Sequence, residues 1–213
     1  MSGIEVGQLL VAFLILLSSL TIHEAAHAWT ADRLGDPTAR LLGRVSLNPL
    51  VHIDPIGTIL FPLLGLFSPV PLIGWAKPVP VNIARLRRHR RDYVLVAAAG
   101  PASNLLLAIL ASSLLHAIPT SASVAGGAEP LGHVATLAMR AIEINVLLAL
   151  FNMIPVPPLD GGNVLAGLLP AQLGTVVDGL RPYGFLIIYA LMLTGTLWSM
   201  IGPLFVLFMS WLG

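Results

Sequence analysis

His23-Glu24-Ala25-Ala26-His27 sets two imidazoles one helical turn apart. On a helix both face the same way and can grip one cation. Glu24 sits beside them, where it could take a proton from metal-bound water. The motif closes an uncharged run over residues 6–22, and ionisable groups inside a membrane span are costly and functional by default. The bland alternative is that two histidines and a glutamate near a helix end snorkel to the interface or bond a neighbouring helix. A catalytic zinc centre normally has three protein ligands and one open position for water, so a third ligand is required. The extended pattern HExxHxxGxxH does not supply it, because Thr30 and Arg33 stand where it needs Gly and His. With no cysteine in the chain and no Glu between Glu24 and Glu129, the third ligand must come from far along the sequence.

The best candidate is Asp160, in Asn152-Met-Ile-Pro-Val-Pro-Pro-Leu-Asp160-Gly-Gly162. Pro155, Pro157 and Pro158 followed by two glycines break any helix entering this stretch. Non-helical backbone at membrane depth is tolerated only where it is buried or lines a wet cavity. Taken alone, Asp160 serves equally well as the N-cap of a helix beginning near residue 161. Taken with the HEAAH motif, the ligand reading prevails.

The elements that must position these groups are membrane helices. The 213 residues include eleven Lys and Arg and ten Asp and Glu, 10% of the chain, against roughly 25% in soluble domains. Uncharged stretches at 6–22, 55–76, 93–128, 144–159 and 182–213 include several long enough for a bilayer, which needs about 20 apolar residues. The expected fold is an all-α polytopic membrane protein of four to five transmembrane helices. It forms a single domain over 1–213, with core helices at about 4–34, 93–118 and 131–155 and a C-terminal span at about 183–211, either one tilted helix or a pair broken near Gly202-Pro203. Residues 1–17 carry Glu5 and no Lys or Arg, so the first apolar segment is expected to be retained as a span. Between the first two core helices, about 40–84 carries the Gly, Pro and β-branched mix of short strands and turns. Within it, 56–75 reads as a membrane-dipping, re-entrant element in preference to a full crossing. A net charge of +1 argues against a nucleic-acid partner.

Arginine placement gives the orientation, since short basic loops stay cytoplasmic. Arg33, Arg40 and Arg44 follow the first span; Arg85, Arg87, Arg88, Arg90 and Arg91 precede the next. Both flanks of 45–84 are therefore cytoplasmic, and the loop at 119–130 is extracytoplasmic. The first and third spans both run inward, so the histidine pair and Asp160 reach a similar depth near the cytoplasmic face of the cell membrane. With the opposite parity the trio could not meet.

With HEAAH at 23–27, AAAGPASN at 97–104 and NMIPVPPLDGG at 152–162 in that order, the chain resembles the site-2 protease family of intramembrane zinc metalloproteases. The likeness spans roughly 4–170, and the LGRVSLNP, HIDPIGT and GWAKPVPVN stretches resemble its compact prokaryotic branch. The chain departs from better-known bacterial members in lacking a PDZ domain, for which 119–130 is too short. The resemblance implies one Zn2+ per chain held by His23, His27 and Asp160, with Glu24 as catalytic acid/base. It implies substrate or oxyanion contact for Asn152, whose other role would be to bond backbone freed by the prolines. Substrates would be transmembrane proteins or peptides, cleaved within or next to their membrane segments.

Weaker signals remain. His52, in HIDP, could orient a zinc ligand or merely stabilise a turn, and Asn104 could satisfy the Gly100-Pro101 kink or touch substrate. Trp29, Trp75 and Trp198 suit interfacial anchors. The rival functions are a divalent-metal transporter, since intramembrane His and Asp with broken helices also describe ion pathways, and a non-catalytic relative that binds membrane proteins.

Overall fold

The computed structural model describes residues 6–65, 74–118 and 130–213. Helix α1, Val6–Arg33, is unbroken because no proline interrupts it. It stops where Gly35 takes φ +111° and the Asp36 N–H turns back to the Ala31 carbonyl at 2.9 Å, a glycine-dependent closure of the last turn. Helix α2, His89–His116, carries Pro101 inside it without breaking. It begins four residues before the expected start because the buried Asp92 carboxylate accepts the Arg88 N–H at 2.8 Å, capping a turn that the arginine run occupies. Helix α3 covers Pro130–Asn152.

Beyond the proline loop, α4 (Asp160–Leu168), α5 (Ala171–Gly179), α6 (Gly184–Leu193) and α7 (Thr196–Leu212) complete the chain. Among the described residues, four stretches are long and apolar enough to cross a membrane: Gly7–Arg33, His89–His116, Leu131–Asn152 and Ala171–Leu193. The C-terminal break differs in place from expectation. It falls at Gly195, φ +74°, while Pro203 lies inside α7; a left-handed residue ends a helix, whereas lipid-embedded helices absorb a proline.

The region between α1 and α2 contains no strand among the described residues. Asp54 caps a π-helical turn at Pro55–Leu60, accepting from the N–H groups of Ile56 and Gly57 at 3.0 and 2.8 Å. A short helix, Phe61–Gly65, follows it. The rest of the apolar 56–75 segment lies partly outside the described residues. Residues 74–82 run extended but pair only singly, Trp75 N–H to Gly57 and Lys77 N–H to His52 at 3.1 and 2.8 Å. Pro78 and Pro80 bring no N–H, which denies the segment a regular ladder. Asp36 moors its far end, accepting the Asn82 N–H at 2.6 Å.

In lipid the helices gain nothing from hydrophobic exclusion, so close packing of small residues and interhelical hydrogen bonds hold them together. Ala25, Ala28 and Ala31 of α1 and Ala97, Gly100 and Ala108 of α2 are buried accordingly. Ile154 of the proline loop joins Ile188, Leu197 and Ile201 in a cluster that braces the loop on α6 and α7. Asn104 of α2 donates to Asn145 of α3 at 2.9 Å with both side chains buried, and such a bond contributes about 0.6 kcal/mol.

Candidate active site

On α1, His23 and His27 project together toward α2, and each ring is tied through Nδ1. His27 donates to the Val96 carbonyl at 2.7 Å, and His23 meets the Asn104 Oδ1 at 2.6 Å. The Nε2 atoms are thereby turned inward, 3.1 Å apart. Room for them comes from Gly100. A Cβ there would stand 2.5 Å from the His23 Nε2 and closer still to that of His27.

Asp160 arrives from the other side. It opens α4 but does not cap it, since that helix has no side-chain cap at its start. Its carboxylate points instead to the histidines, with Oδ2 at 3.1 Å from the His23 Nε2 and 3.3 Å from that of His27. Gly161 and Gly162 let α4 begin tight against the proline loop: a Cβ on Gly161 would come within 2.5 Å of the Ile154 carbonyl oxygen, and one on Gly162 within 2.6 Å of the Val156 carbonyl carbon.

Three electron-rich atoms thus face one point. Each Nδ1 faces an acceptor, which leaves each Nε2 as the nitrogen able to offer a lone pair to a metal, and the buried Asp160 Oδ2 has no hydrogen-bond partner. Such a cluster is unfavourable unless a cation fills it. The triangle has edges of 3.1, 3.1 and 3.3 Å. Ligand bonds of 2.0–2.2 Å in a tetrahedral zinc site give edges of about 3.3 Å, so the donor set fits zinc.

The trio lies in a cavity of about 620 Å³. Glu24 lines it, and its Oε2 accepts the Val79 N–H at 3.0 Å. Asn152 lines it too, with Nδ2 donating to the Leu148 carbonyl one turn back at 2.9 Å, which uses one of the amide's two N–H groups. His52 is not among the cavity residues. Its buried ring bonds the Ser46 carbonyl at 2.9 Å, and its own carbonyl holds Lys77, so it supports the 74–82 segment. Trp75 faces the cavity as well. It forms cavity wall, its ring 5.0 Å from that of Phe61 and 5.5 Å from that of Phe185.

Several participants escape sequence reasoning. The Val79 N–H and the Val96 carbonyl are backbone groups that no side-chain motif reports. Tyr93, Asn163 and Arg181 line the cavity, and Arg181 donates to Asn163 and Asp178 at 2.9 and 3.0 Å. Gly100 reads in sequence as a kink beside Pro101, whereas its work is clearance. A lone Asn145 in the apolar run of α3 is the one signal that could have drawn attention to that position.

The chain is similar to known proteins over most of its length. Over 194 residues the chain is 38% identical to “Putative zinc metalloprotease YwhC” of Bacillus subtilis (strain 168), covering 87% of this chain and 83% of that protein. The chain belongs to the site-2 protease family. The profile of peptidase family M50 matches residues 117–194. “Putative zinc metalloprotease Rip2” of Mycolicibacterium smegmatis is 31% identical over 198 residues, 90% of this chain and 70% of the relative. Rip2 of Mycobacterium tuberculosis (strain H37Rv) is 32% identical over 85% of this chain and 66% of its own length. No solved structure matches. The site-2 protease described here is a multi-pass membrane protein and an intramembrane zinc metalloprotease.

Proposed function

We propose that His23, His27 and Asp160 hold the catalytic zinc, that Glu24 is the acid/base, and that the substrate is a membrane segment cut near the cytoplasmic face of the cell membrane. The observation that carries this reading is the convergence of three potential ligand atoms, 3.1–3.3 Å apart, from α1 and α4 beside Glu24. Zinc bound there supplies a water whose pKa falls to about 7 and a Lewis acid for the scissile carbonyl.

The chain's own residues do the rest. The Val79 N–H engages one oxygen of Glu24, so the other is the atom that takes the proton from water and passes it to the departing amine. Asn152 offers its remaining N–H to the carbonyl oxygen as negative charge builds there. A helical substrate hides its scissile carbonyl in its own hydrogen bonds, so it must unwind before attack. The extended 74–82 segment, whose residues 74–76 and 78–79 face the cavity, gives the unwound peptide a partner to lie along. Arginines at both flanks of this region support a cytoplasmic position for it.

The experiment compares cells carrying the wild type with cells carrying Glu24→Gln. Intact membrane proteins or remnant signal segments should accumulate in the variant while purified variant protein keeps its zinc. A metal carrier would go on moving metal after that change, and such transport with unaltered membrane-protein fragments would overturn the reading.

A further inference from the structure

A metal ligand must present a lone pair, so something must choose which nitrogen of His23 carries the proton. The structure traces that choice across three helices. Asn145 sits in the middle of α3, buried, and its Nδ2 donates to the Ala141 carbonyl of its own helix at 2.8 Å. A backbone carbonyl only accepts, so the amide of Asn145 cannot flip without setting two oxygens face to face. Its Oδ1 is therefore turned toward α2, where it accepts from the Asn104 Nδ2 at 2.9 Å. The same Nδ2 also faces the Ser19 carbonyl of α1 at 3.5 Å. With its nitrogen committed to acceptors, the fully buried Asn104 must offer Oδ1 to His23. That oxygen cannot donate, so a proton is held on Nδ1 and Nε2 is the nitrogen left to bind metal.

We propose that Asn145 and Asn104 form a polar relay that imposes the metal-binding tautomer on His23, with Asn145 as a positioning residue that touches neither metal nor substrate. The Val96 carbonyl does the same for His27 directly. The two ligands thus have different safeguards, one a backbone acceptor that no side-chain change removes, the other a side-chain amide whose orientation depends on a third helix. Asn145→Leu removes the shorter of the two contacts that hold the Asn104 nitrogen and leaves only the 3.5 Å approach to Ser19, so Asn104 can rotate by half a turn and present N–H to the His23 Nδ1, which drives the proton to Nε2 and opposes metal binding. Aspartate at 104 cannot make this error, because both of its oxygens accept.

This inference rests on the zinc-ligand reading of His23, His27 and Asp160, and the test separates the two. Full-length protein in detergent is titrated with Zn2+ against a chelating dye, with thermal unfolding measured alongside. Asn104→Leu should lose about 10- to 100-fold in zinc affinity, the range for partners that orient metal ligands. Asn145→Leu should fall in the same direction, and adding Asn104→Asp to Asn145→Leu should restore affinity. A packing role for Asn145 predicts no rescue, and failure of the double variant to recover would overturn the relay while leaving the ligand set intact. Zinc binding by His23→Ala as tight as wild type would instead overturn the ligand set. Should Asn145→Leu not fold, ¹⁵N-histidine spectra of the metal-free wild type decide: the relay requires a protonated Nδ1 on His23, and a bare Nδ1 would refute it.

Discussion

Gly100→Ala would put one methyl group where the structure has only space. Its Cβ would lie 2.5 Å from the His23 Nε2 and 2.6 Å from the His23 Cε1, against 3.4 Å or more in ordinary contact. A ring must therefore retreat by about 0.9 Å, several times the roughly 0.2 Å tolerance of a metal–ligand bond. His23 is pinned through Nδ1 to Asn104 and His27 to Val96, so neither ring can yield without losing its anchor. Zinc affinity should drop by about 100-fold and cleavage of a membrane reporter by at least as much, because a misplacement of about 1 Å costs roughly that factor. Alanine in a helix interior is favoured over glycine by about 0.5–1 kcal/mol, which offsets only part of the roughly 1–3 kcal/mol that overpacking costs, so the thermal unfolding midpoint should fall modestly while the site fails. A Gly100→Ala protein that unfolds like wild type and still binds zinc at wild-type affinity would refute the packing of both rings against α2.

Three further predictions probe the remaining parts. Asp160→Ala should abolish stoichiometric zinc, read by metal analysis of purified protein, whereas Glu24→Gln should keep one zinc per chain and lose about 10²- to 10⁴-fold in turnover; equal zinc content in both variants would remove Asp160 from the ligand set. Val79→Pro deletes the N–H that holds Glu24. A hydrogen bond to a charged group is worth about 1.5–3 kcal/mol, so cleavage should fall roughly 10- to 100-fold with zinc retained, while Val79→Ala stays near wild type; identical rates for the two would show that Glu24 does not rely on that contact. Treatment with a strong chelator should stop cleavage, and added Zn2+ but not Mg2+ should restore it, as nitrogen ligands favour the former.

The chemistry of this protein was legible because it is written in local periodicity. His23 and His27 share a helix face by spacing alone, and long uncharged stretches declare membrane helices whatever their neighbours. Asp160 stood out because a proline-broken segment at membrane depth needs a reason. The parity of crossings then brought it to the same depth as the histidines. The intermediate region was read less well: its β-branched and proline-rich composition suggests strands, yet Pro78 and Pro80 prevent a ladder, and 74–82 is extended without being a sheet. Of the two roles open to His52 in the sequence, the contacts it makes are those of a turn support, since its backbone carbonyl holds Lys77 of that segment.

Sequence by itself determined the candidate ligand types, their spacing on α1 and the spans, since each of these depends on residues a turn or a bilayer's width apart. Only the tertiary structure decided that the three ligand atoms close to a triangle of zinc-sized edges, that Gly100 clears their space, and that Asn104 and Asn145 orient one of them. Those facts depend on how α1, α2, α3 and α4 lie against one another. In lipid that arrangement is set by the fit of small residues and a few buried polar contacts, neither of which leaves a periodic mark along the chain.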